Sequence, residues 1–184
     1  MTAAPRFQPE ETLRVLEEHG VRFVLIGGLA ATLHGSTLRT GDADICPARD
    51  PANLGRLASA LVDLDARLRA SDAPNGVRSA RDAEFLSRVE LCNLTTRFGD
   101  LDLAFRPAGT DGYDDLRRRA VTYDLDGVRV DVAALDDVIR SKRASNRAKD
   151  RGALPELEAL LEEVQTARAR RKTHLEKERP RRKR

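Results

Sequence analysis

The sequence predicts an α/β fold: a small mixed sheet flanked by helices and followed by a helical C-terminal segment. Apolar runs of strand length alternate with helical patterns over most of the chain, and this alternation is typical of sheets covered by helices. Asp126-Gly127 separates two short apolar patterns, which indicates a β-hairpin. With 184 residues, the chain can bury a sizeable core.

The first third of the chain alternates between helix and strand signals. Pro9 occupies a helix-start position and Gly20 ends that pattern, while Asp50 stands as an N-cap before Pro51. Pro47 ends the second strand pattern. In order, we expect a helix between Pro9 and Gly20, a strand at 21–26, a short helix at 29–34, a strand at 42–46 and a helix at 51–64.

The remainder of the chain predicts strands and then helices. Residues 71–83 are typical of a loop. We expect strands at 89–96, 101–105, 121–125 and 128–132, then helices from 134 with a break near Gly152 and Pro155. These patterns divide the chain into a core at 1–133, a helical segment at 134–165 and a flexible basic tail at 166–184.

The basic tail dominates the charge of the chain. Residues 166–184 contain ten Lys or Arg and two Glu, whereas the whole chain has a formal charge of +3. The remainder is therefore net acidic. A terminal charge run is commonly solvated, but it also binds polyanions such as RNA, with a strong dependence on salt.

Cysteine usage and hydropathy indicate a cytoplasmic protein with no membrane partner. Cys46 and Cys92 belong to no CxxC pair, so we expect buried free thiols rather than a disulfide or a metal site. No apolar stretch approaches the roughly 20 residues of a membrane span. The first residues lack the apolar core of a signal peptide.

One short region carries groups that could bind a nucleotide triphosphate. Gly27 and Gly28 follow an apolar strand pattern, and a backbone without side chains can approach phosphates closely. A plain strand-to-helix turn is the alternative. The G-x-G-x-x-G spacing of dinucleotide-binding folds is absent.

Three aspartates on two predicted strands could form a metal site. Asp42 and Asp44 are two residues apart, so their side chains point to one side of a strand. In the run GDLDLAF, Asp102 lies opposite the apolar face. If the two strands are neighbours, it completes a three-carboxylate cluster for Mg²⁺ or Mn²⁺. Under another register Asp100 or Asp131 could take its place, and a solvated sheet edge is the alternative.

Two blocks of the sequence form recognisable motifs. The first block, GG-x-A-…-HG-…-R-T-x-D-x-D, is carried by Gly27, Gly28, Ala30, His34, Gly35, Arg39, Thr40, Asp42 and Asp44. The second is carried by Lys142, Arg147, Lys149 and Asp150. The two blocks resemble the polymerase-β-type nucleotidyltransferase superfamily, and within it the AbiEii-like branch that includes MenT-like toxins of toxin–antitoxin systems. Together they span residues 21–161. Many members have Gly-Ser where this chain has Gly27-Gly28, so a phosphate contact from that hydroxyl is absent.

The resemblance implies a minimal nucleotidyltransferase sheet and an enzyme that uses Mg²⁺ or Mn²⁺ and an NTP. It implies that the metal is held by Asp42, Asp44 and Asp102, and that phosphates contact Gly27, Gly28, Arg39, Thr40 and Lys142. Asp150 would orient Lys142 or the acceptor. A spacing of eight residues on helical sequence leaves Lys142 and Asp150 on roughly one side, although a solvated charged face is the alternative.

Three residues of the first block carry separate hypotheses. Arg39 could clamp phosphates or form a salt bridge with Asp42 or Asp44. His34 is more typical of a capping or packing histidine than of a catalytic base. In some toxins that the chain resembles, the hydroxyl at the place of Thr40 is phosphorylated by an antitoxin kinase, which would add about two negative charges where the triphosphate binds.

The resulting functional prediction is nucleotidyl transfer from an NTP to an acceptor hydroxyl by a toxin that acts on tRNA 3′ ends and is restrained by an antitoxin. Two alternatives remain open. One is a nucleotidyltransferase that modifies protein side chains, and the other is a non-catalytic module that binds nucleotides or RNA.

Overall fold

The computed structural model describes residues 6–70, 73–77 and 82–178. The strands are β1 (Phe23–Ile26), β2 (Asp42–Pro47), β3 (Arg67–Ala70), β4 (Ala73–Val77), β5 (Leu91–Thr96), β6 (Gly99–Ala104), β7 (Val121–Leu125) and β8 (Val128–Val132). The helices are α1 (Pro9–Glu18), α2 (Gly27–Leu33), α3 (Pro51–Asp63), α4 (Ala83–Arg88), α5 (Tyr113–Arg117), α6 (Leu135–Ser145) and α7 (Ala148–Glu178). The strands form one eight-stranded mixed sheet in the order β4-β3-β5-β6-β2-β1-β8-β7. The predicted fold class is confirmed.

The middle of the sheet is formed by β6, β2 and β1. Strand β2 runs parallel to β6 and antiparallel to β1, and β1 pairs in parallel with β8. The register sets Asp42 opposite Asp100 and Asp44 opposite Asp102. The residues that alternate with these aspartates are at most 1 % exposed: Ala43, Ile45, Leu101 and Leu103. One face of these strands therefore joins the core and the other presents carboxylates.

Local signals explain where α3 begins. Pro51 is its first residue, and the Asp50 carboxylate accepts a hydrogen bond of 3.1 Å from the backbone N–H of Asn53. This is the predicted N-cap, since it satisfies an N–H group that has no partner within the helix. The helix then buries leucines at helical spacing on the side that packs on the body: Leu54, Leu57 and Leu61.

Four elements were not predicted: β3, β4, α4 and α5. The predicted loop at 71–83 contains β4 and the first residue of α4, while its residues 71–72 and 78–81 lie outside the described residues. Strand β3 alternates Arg and Leu before an Ala, and β4 contains Pro and Gly, so intrinsic strand propensity is low in both. Strand β3 exists because it pairs with β5.

The predicted break near Gly152 and Pro155 is wrong, because α7 runs through both residues. Pro155 is exposed, whereas Ala153 and Leu157 on either side of it are buried. Packing of this helix face on the body outweighs the hydrogen bond that proline removes.

Helix α7 also extends beyond the predicted boundary at residue 166 and ends at Glu178. The first part of the segment predicted as a flexible tail is therefore helical, and 179–184 lie outside the described residues. Within the part of the chain that the structure describes, no helix is both long and apolar enough to cross a bilayer.

Both cysteines are buried free thiols, as predicted. Burial raises the pKa of Cys46 to about 12 and that of Cys92 to about 11. They lie on β2 and β5 and contribute to the core. Their role is therefore packing rather than redox or metal chemistry.

Candidate active site

Strands β2 and β6 bring three carboxylates together. Asp42 and Asp44 project from alternate positions of β2, and Asp102 lies on β6 beside Asp44. Each offers an oxygen, and these oxygens lie within 4.8 Å of one another. The predicted adjacency of the two strands is therefore present, and the three side chains are partly buried. Clustered carboxylate oxygens are the donors that hard divalent cations prefer.

The two aspartates considered as substitutes for Asp102 have other partners. Asp100 accepts a hydrogen bond of 2.9 Å from the Thr95 hydroxyl. Asp131 accepts one of 2.8 Å from Thr122 and pairs with Arg117 at 3.0 Å. Among the described residues, the oxygens that lie within 4.8 Å of one another belong to Asp42, Asp44 and Asp102, so Asp102 completes the cluster.

Charge repulsion within the cluster is strong at Asp44. Burial, together with the nearby charges of Asp42 and Asp102, raises the pKa of Asp44 to about 6. Lys149 and Lys142 act in the opposite direction. Burial likewise raises the pKa of Asp102, against the opposing charge of Arg69. A cation placed among these oxygens would relieve the repulsion.

Arg69 is a site neighbour that sequence reasoning missed. Its guanidinium forms an ion pair of 2.5 Å with Asp100 and a second ion pair with Asp102. Arg69 lies on β3, a strand whose sequence carries no clear signal, so its proximity to the aspartates depends on the pairing of β3 with β5. Its effect is to hold Asp102 at the cluster and to offset part of its charge.

The glycine turn lies directly against the carboxylates. Gly27 has a φ of +68°, and a Cβ built on it would lie 2.0 Å from Oδ2 of Asp44. A Cβ built on Gly28 would lie 2.6 Å from the Oγ1 of Thr40. Both positions therefore exclude a side chain, Gly27 also because its backbone is left-handed. The two glycines form the first turn of α2, directly after β1, and line the same cleft as the three carboxylates.

Cations of the second sequence block face the cluster, but Lys142 and Asp150 do not share one helix as predicted. Helix α6 ends at Ser145, and Asn146 adopts a left-handed conformation with φ of 50°. Asp150 belongs to α7, and its Oδ1 lies 3.4 Å from Nζ of Lys142. The two side chains meet because the chain turns between the helices.

Asp150 anchors this cationic group. Its side chain is fully buried, accepts a hydrogen bond of 2.6 Å from Nε of Arg147 and another from the Ser145 hydroxyl. Burial alone would raise the pKa of Asp150, but hydrogen bonds from Arg147 and Ser145, with the charges of Arg147 and Lys142, lower it to about 2. Asp150 is therefore ionised at neutral pH and restrains Lys142 and Arg147.

These groups line one cleft of about 780 Å³. That volume lies in the usual range of small-ligand sites, which is roughly 300–1,000 Å³. Its polar lining includes Gly27, Gly28, Arg39, Thr40, Asp42, Asp44, Asp102, Lys142, Arg147 and Lys149. Two exposed leucines, Leu38 and Leu91, add apolar surface to its lining. Every residue predicted for the site except Asp150 lines this cleft.

Arg39 and His34 differ in position and in partners. Arg39 is exposed on the cleft and has no hydrogen bond or ion pair with a described residue, so the alternative salt bridge with Asp42 or Asp44 is not formed. His34 is the C-cap residue of α2; its Nε2 lies 2.8 Å from the carbonyl oxygen of Ala133 and its Nδ1 lies 3.1 Å from the Tyr123 hydroxyl. It therefore has the packing environment that the sequence favoured.

No protein-family model matches the chain, and no curated protein sequence matches it significantly. Solved structures do match. The lincosamide antibiotic adenylyltransferase LnuA, solved with lincomycin, is 14% identical with a TM-score of 0.55, over 84% of this chain and 99% of that one. ANT(2")-Ia, solved with adenylyl-2"-tobramycin, is 15% identical with a TM-score of 0.51, over 91% and 96% of the two chains.

A third match is an antigenic nucleotidyltransferase-like protein from Paracoccidioides brasiliensis. It is 15% identical with a TM-score of 0.50, and the alignment covers 85% of this chain and 78% of that one. At these identities the likeness concerns the fold alone. The sheet that brings Asp42, Asp44 and Asp102 together thus belongs to a chain that shares its fold with nucleotidyltransferases.

Proposed function

We propose that this protein transfers a nucleotidyl group from an NTP to an acceptor hydroxyl and releases pyrophosphate. The observation that carries the proposal is the convergence of Asp42, Asp44 and Asp102 within 4.8 Å, next to a turn that excludes side chains at Gly27 and Gly28. Carboxylates beside an exposed glycine backbone can hold divalent cations and phosphates at one place.

The three aspartates fit Mg²⁺ or Mn²⁺. All are oxygen donors, and burial, together with the charges of Asp42 and Asp102, raises the pKa of Asp44 to about 6. When bound there, such an ion would supply charge neutralisation at the phosphates and lower the pKa of the attacking hydroxyl. The residues that would hold it are Asp42, Asp44 and Asp102.

The remaining groups of the cleft would handle the triphosphate. Gly27 and Gly28 permit close approach of phosphate oxygens to the backbone. Lys142 and Arg39 would neutralise the charge that develops on the departing pyrophosphate. Asp150 would keep Lys142 directed at the phosphates, since the two side chains lie 3.4 Å apart. Lys149, which is exposed on the cleft and opposes the charge of Asp44, would contribute to the same end.

We propose the 3′ end of tRNA as the acceptor, so that the protein would act as a toxin held in check by a cognate antitoxin. The resemblance to MenT-like toxins supports this, as does the segment 166–184 with its ten Lys or Arg, which would attract RNA. An antitoxin kinase could act through Thr40, which lines the cleft. A phosphate there would repel both the triphosphate and Asp42.

Two other acceptors follow from different observations. The structural neighbours LnuA and ANT(2")-Ia act on antibiotics according to their names, which favours a small-molecule hydroxyl as the second candidate. A protein side chain is the third. A module that binds nucleotide without turnover is the remaining alternative.

The test is incubation of the purified protein with each labelled NTP and Mg²⁺ or Mn²⁺, in separate reactions that contain total RNA, cell protein or an aminoglycoside and lincosamide mixture. We expect label on RNA from one NTP, and loss of at least about 100-fold in rate for Asp42→Ala, as for removal of a group that stabilises transition-state charge. Label on protein or on a small molecule would reassign the acceptor.

Asp131→Asn is the matched control, because this aspartate also lies on a strand of the sheet but bonds to Thr122 and Arg117 outside the cluster. It should retain the wild-type rate. If the wild-type protein binds nucleotide and transfers none of it to any acceptor class, the enzyme proposal is wrong and the binding-module alternative stands.

A further inference from the structure

Thr40 occupies the space that a side chain on residue 28 would need. A Cβ built on Gly28 would lie 2.6 Å from Oγ1 and 2.8 Å from Cβ of Thr40, well inside van der Waals contact. Thr40 belongs to the segment between α2 and β2, whereas Gly28 belongs to the first turn of α2. The two residues are thus fitted to each other: Gly28 lacks a side chain where Thr40 places its hydroxyl and its Cβ.

The Thr40 hydroxyl is engaged with the first carboxylate of β2. Oγ1 lies 2.9 Å from Oδ1 of Asp42 and 3.2 Å from its backbone carbonyl oxygen. A hydroxyl has one proton to donate, and a hydrogen bond to a charged acceptor is the stronger of the two. The bond to Oδ1 therefore restrains the Asp42 side chain and leaves Oδ2 free.

The restraint matters because Asp42 lies close to two other carboxylates. Asp42, Asp44 and Asp102 offer oxygens within 4.8 Å of one another, so each carboxylate favours rotation away from the others when no cation is present. A donor on Oδ1 opposes that rotation for Asp42. The absence of a side chain on Gly28 contributes as well, because it leaves Thr40 room to approach Asp42.

We propose that Thr40 is a positioning residue of the metal site, and that Gly28 is glycine because the Thr40 side chain fills its Cβ position. The inference rests on the proposed metal-dependent function and adds to it: the hydroxyl acts on the ligand Asp42 rather than on the nucleotide. Removing a hydrogen-bond partner of a metal ligand typically lowers metal affinity about 10- to 100-fold.

The first test measures Mn²⁺ binding to the full-length protein by electron paramagnetic resonance, without nucleotide or acceptor. Thr40→Val keeps the volume and branching of the side chain but removes the donor, and we expect Mn²⁺ affinity to fall about 10-fold. Thr40→Ser keeps the donor and should retain most of the affinity. Thr37→Val removes a threonine hydroxyl from the same segment, one that bonds to Glu156 at 3.3 Å, and should bind as the wild type does.

The second test moves the side chain from residue 40 to residue 28. Gly28→Ser introduces a side chain into the space of Thr40, and Thr40→Gly empties that space and removes the donor, so each single variant should lose Mn²⁺ affinity. The double variant Gly28→Ser/Thr40→Gly has room for the new side chain and returns a hydroxyl to the same place. We expect it to bind Mn²⁺ more tightly than either single variant.

Gly28→Ala/Thr40→Gly fills the same space with a methyl group and supplies no hydroxyl. If this double variant recovers binding as well as the serine version does, Thr40 serves only to fill space and the proposal is overturned. Wild-type affinity in Thr40→Val overturns it too. Absence of Mn²⁺ binding in the wild type would instead remove the proposed metal-dependent function, which distinguishes the two failures. Circular dichroism melts identify any variant that has lost its fold.

Discussion

The metal-binding role proposed for Asp44 conflicts with the stability of the metal-free protein. Asp44 is partly buried between Asp42 and Asp102, no hydrogen bond to its carboxylate is found among the described residues, and burial together with the two neighbouring charges raises its pKa to about 6. An acid whose pKa is raised on folding binds its proton more tightly in the folded state. The metal-free protein therefore loses stability as the pH rises from about 4 to about 6, and the loss is complete above that.

Asp44→Asn should therefore stabilise the metal-free protein at neutral pH while abolishing nucleotidyl transfer. The shift in pKa corresponds to about 2 kcal/mol at pH 8 once solvent screening is allowed for, and to little at pH 4. Urea unfolding in EDTA at both pH values measures this difference. Equal stabilisation at the two pH values would show that ionisation of the Asp44 carboxyl group is not the cause.

Residue by residue, sequence reasoning reached the groups whose position depends on local periodicity. The alternation of a strand places Asp42 and Asp44 on one side, and the apolar face of GDLDLAF places Asp102 opposite its own core face. Arg69 was missed because its strand has weak propensity. Lys142 and Asp150 do lie close together, but through the turn at Asn146 rather than along one helix.

At the scale of elements, the N-cap of α3 is a place where a substitution should change stability without changing activity. Asp50 accepts a hydrogen bond from the backbone of Asn53 and lies outside the cleft. Asp50→Ala should lower the free energy of unfolding by about 1 kcal/mol and leave the transfer rate unchanged. Urea titration with a parallel activity assay measures both.

Asp50→Ser is the control for this prediction, since serine is also a good N-cap residue and should recover most of the lost stability. Asp50 additionally pairs with Arg22. If the serine variant is as unstable as the alanine variant, the ion pair rather than the cap accounts for the effect.

Elements whose ends carry strong local signals, such as a turn sequence or an N-cap residue, were predictable. Strands that form only by pairing with other strands were not. The hairpin β7–β8 around Asp126-Gly127 and the capped helix α3 carry their signals within a few residues. Strand β3 depends on hydrogen bonds to β5, and β4 depends on hydrogen bonds to β3, which a local pattern does not contain. The same holds for Pro155, which lies inside α7 because buried neighbours keep the helix intact.

At the scale of the whole molecule, the two thiols report on the integrity of the core. Burial raises the pKa of Cys46 to about 12 and that of Cys92 to about 11. At pH 8 neither should therefore react with Ellman's reagent in the native protein, because the thiolate is scarce and the sulfur is inaccessible. In denaturant both cysteines should react. One thiol that titrates rapidly under native conditions would show that part of the core opens.

The cleft itself is a property of the whole chain that local patterns do not contain. One wall comes from the strands β2 and β6 and another from the junction of α6 and α7, which are separated by many residues. The two sequence blocks that resemble nucleotidyltransferases indicated which residues line the cleft. Its volume and its apolar residues Leu38 and Leu91 depend on how the C-terminal helices pack against the sheet.

The central place of β2 has a consequence for how the molecule works. This strand is hydrogen-bonded along both edges, to β1 and to β6. Its amide protons should therefore exchange with solvent only in opening events whose free energy approaches that of global unfolding. The part of the cleft that carries Asp42 and Asp44 is therefore expected to be rigid. Amide hydrogen exchange should accordingly be slower in β2 than at the junction of α6 and α7, where Asn146 has a left-handed backbone.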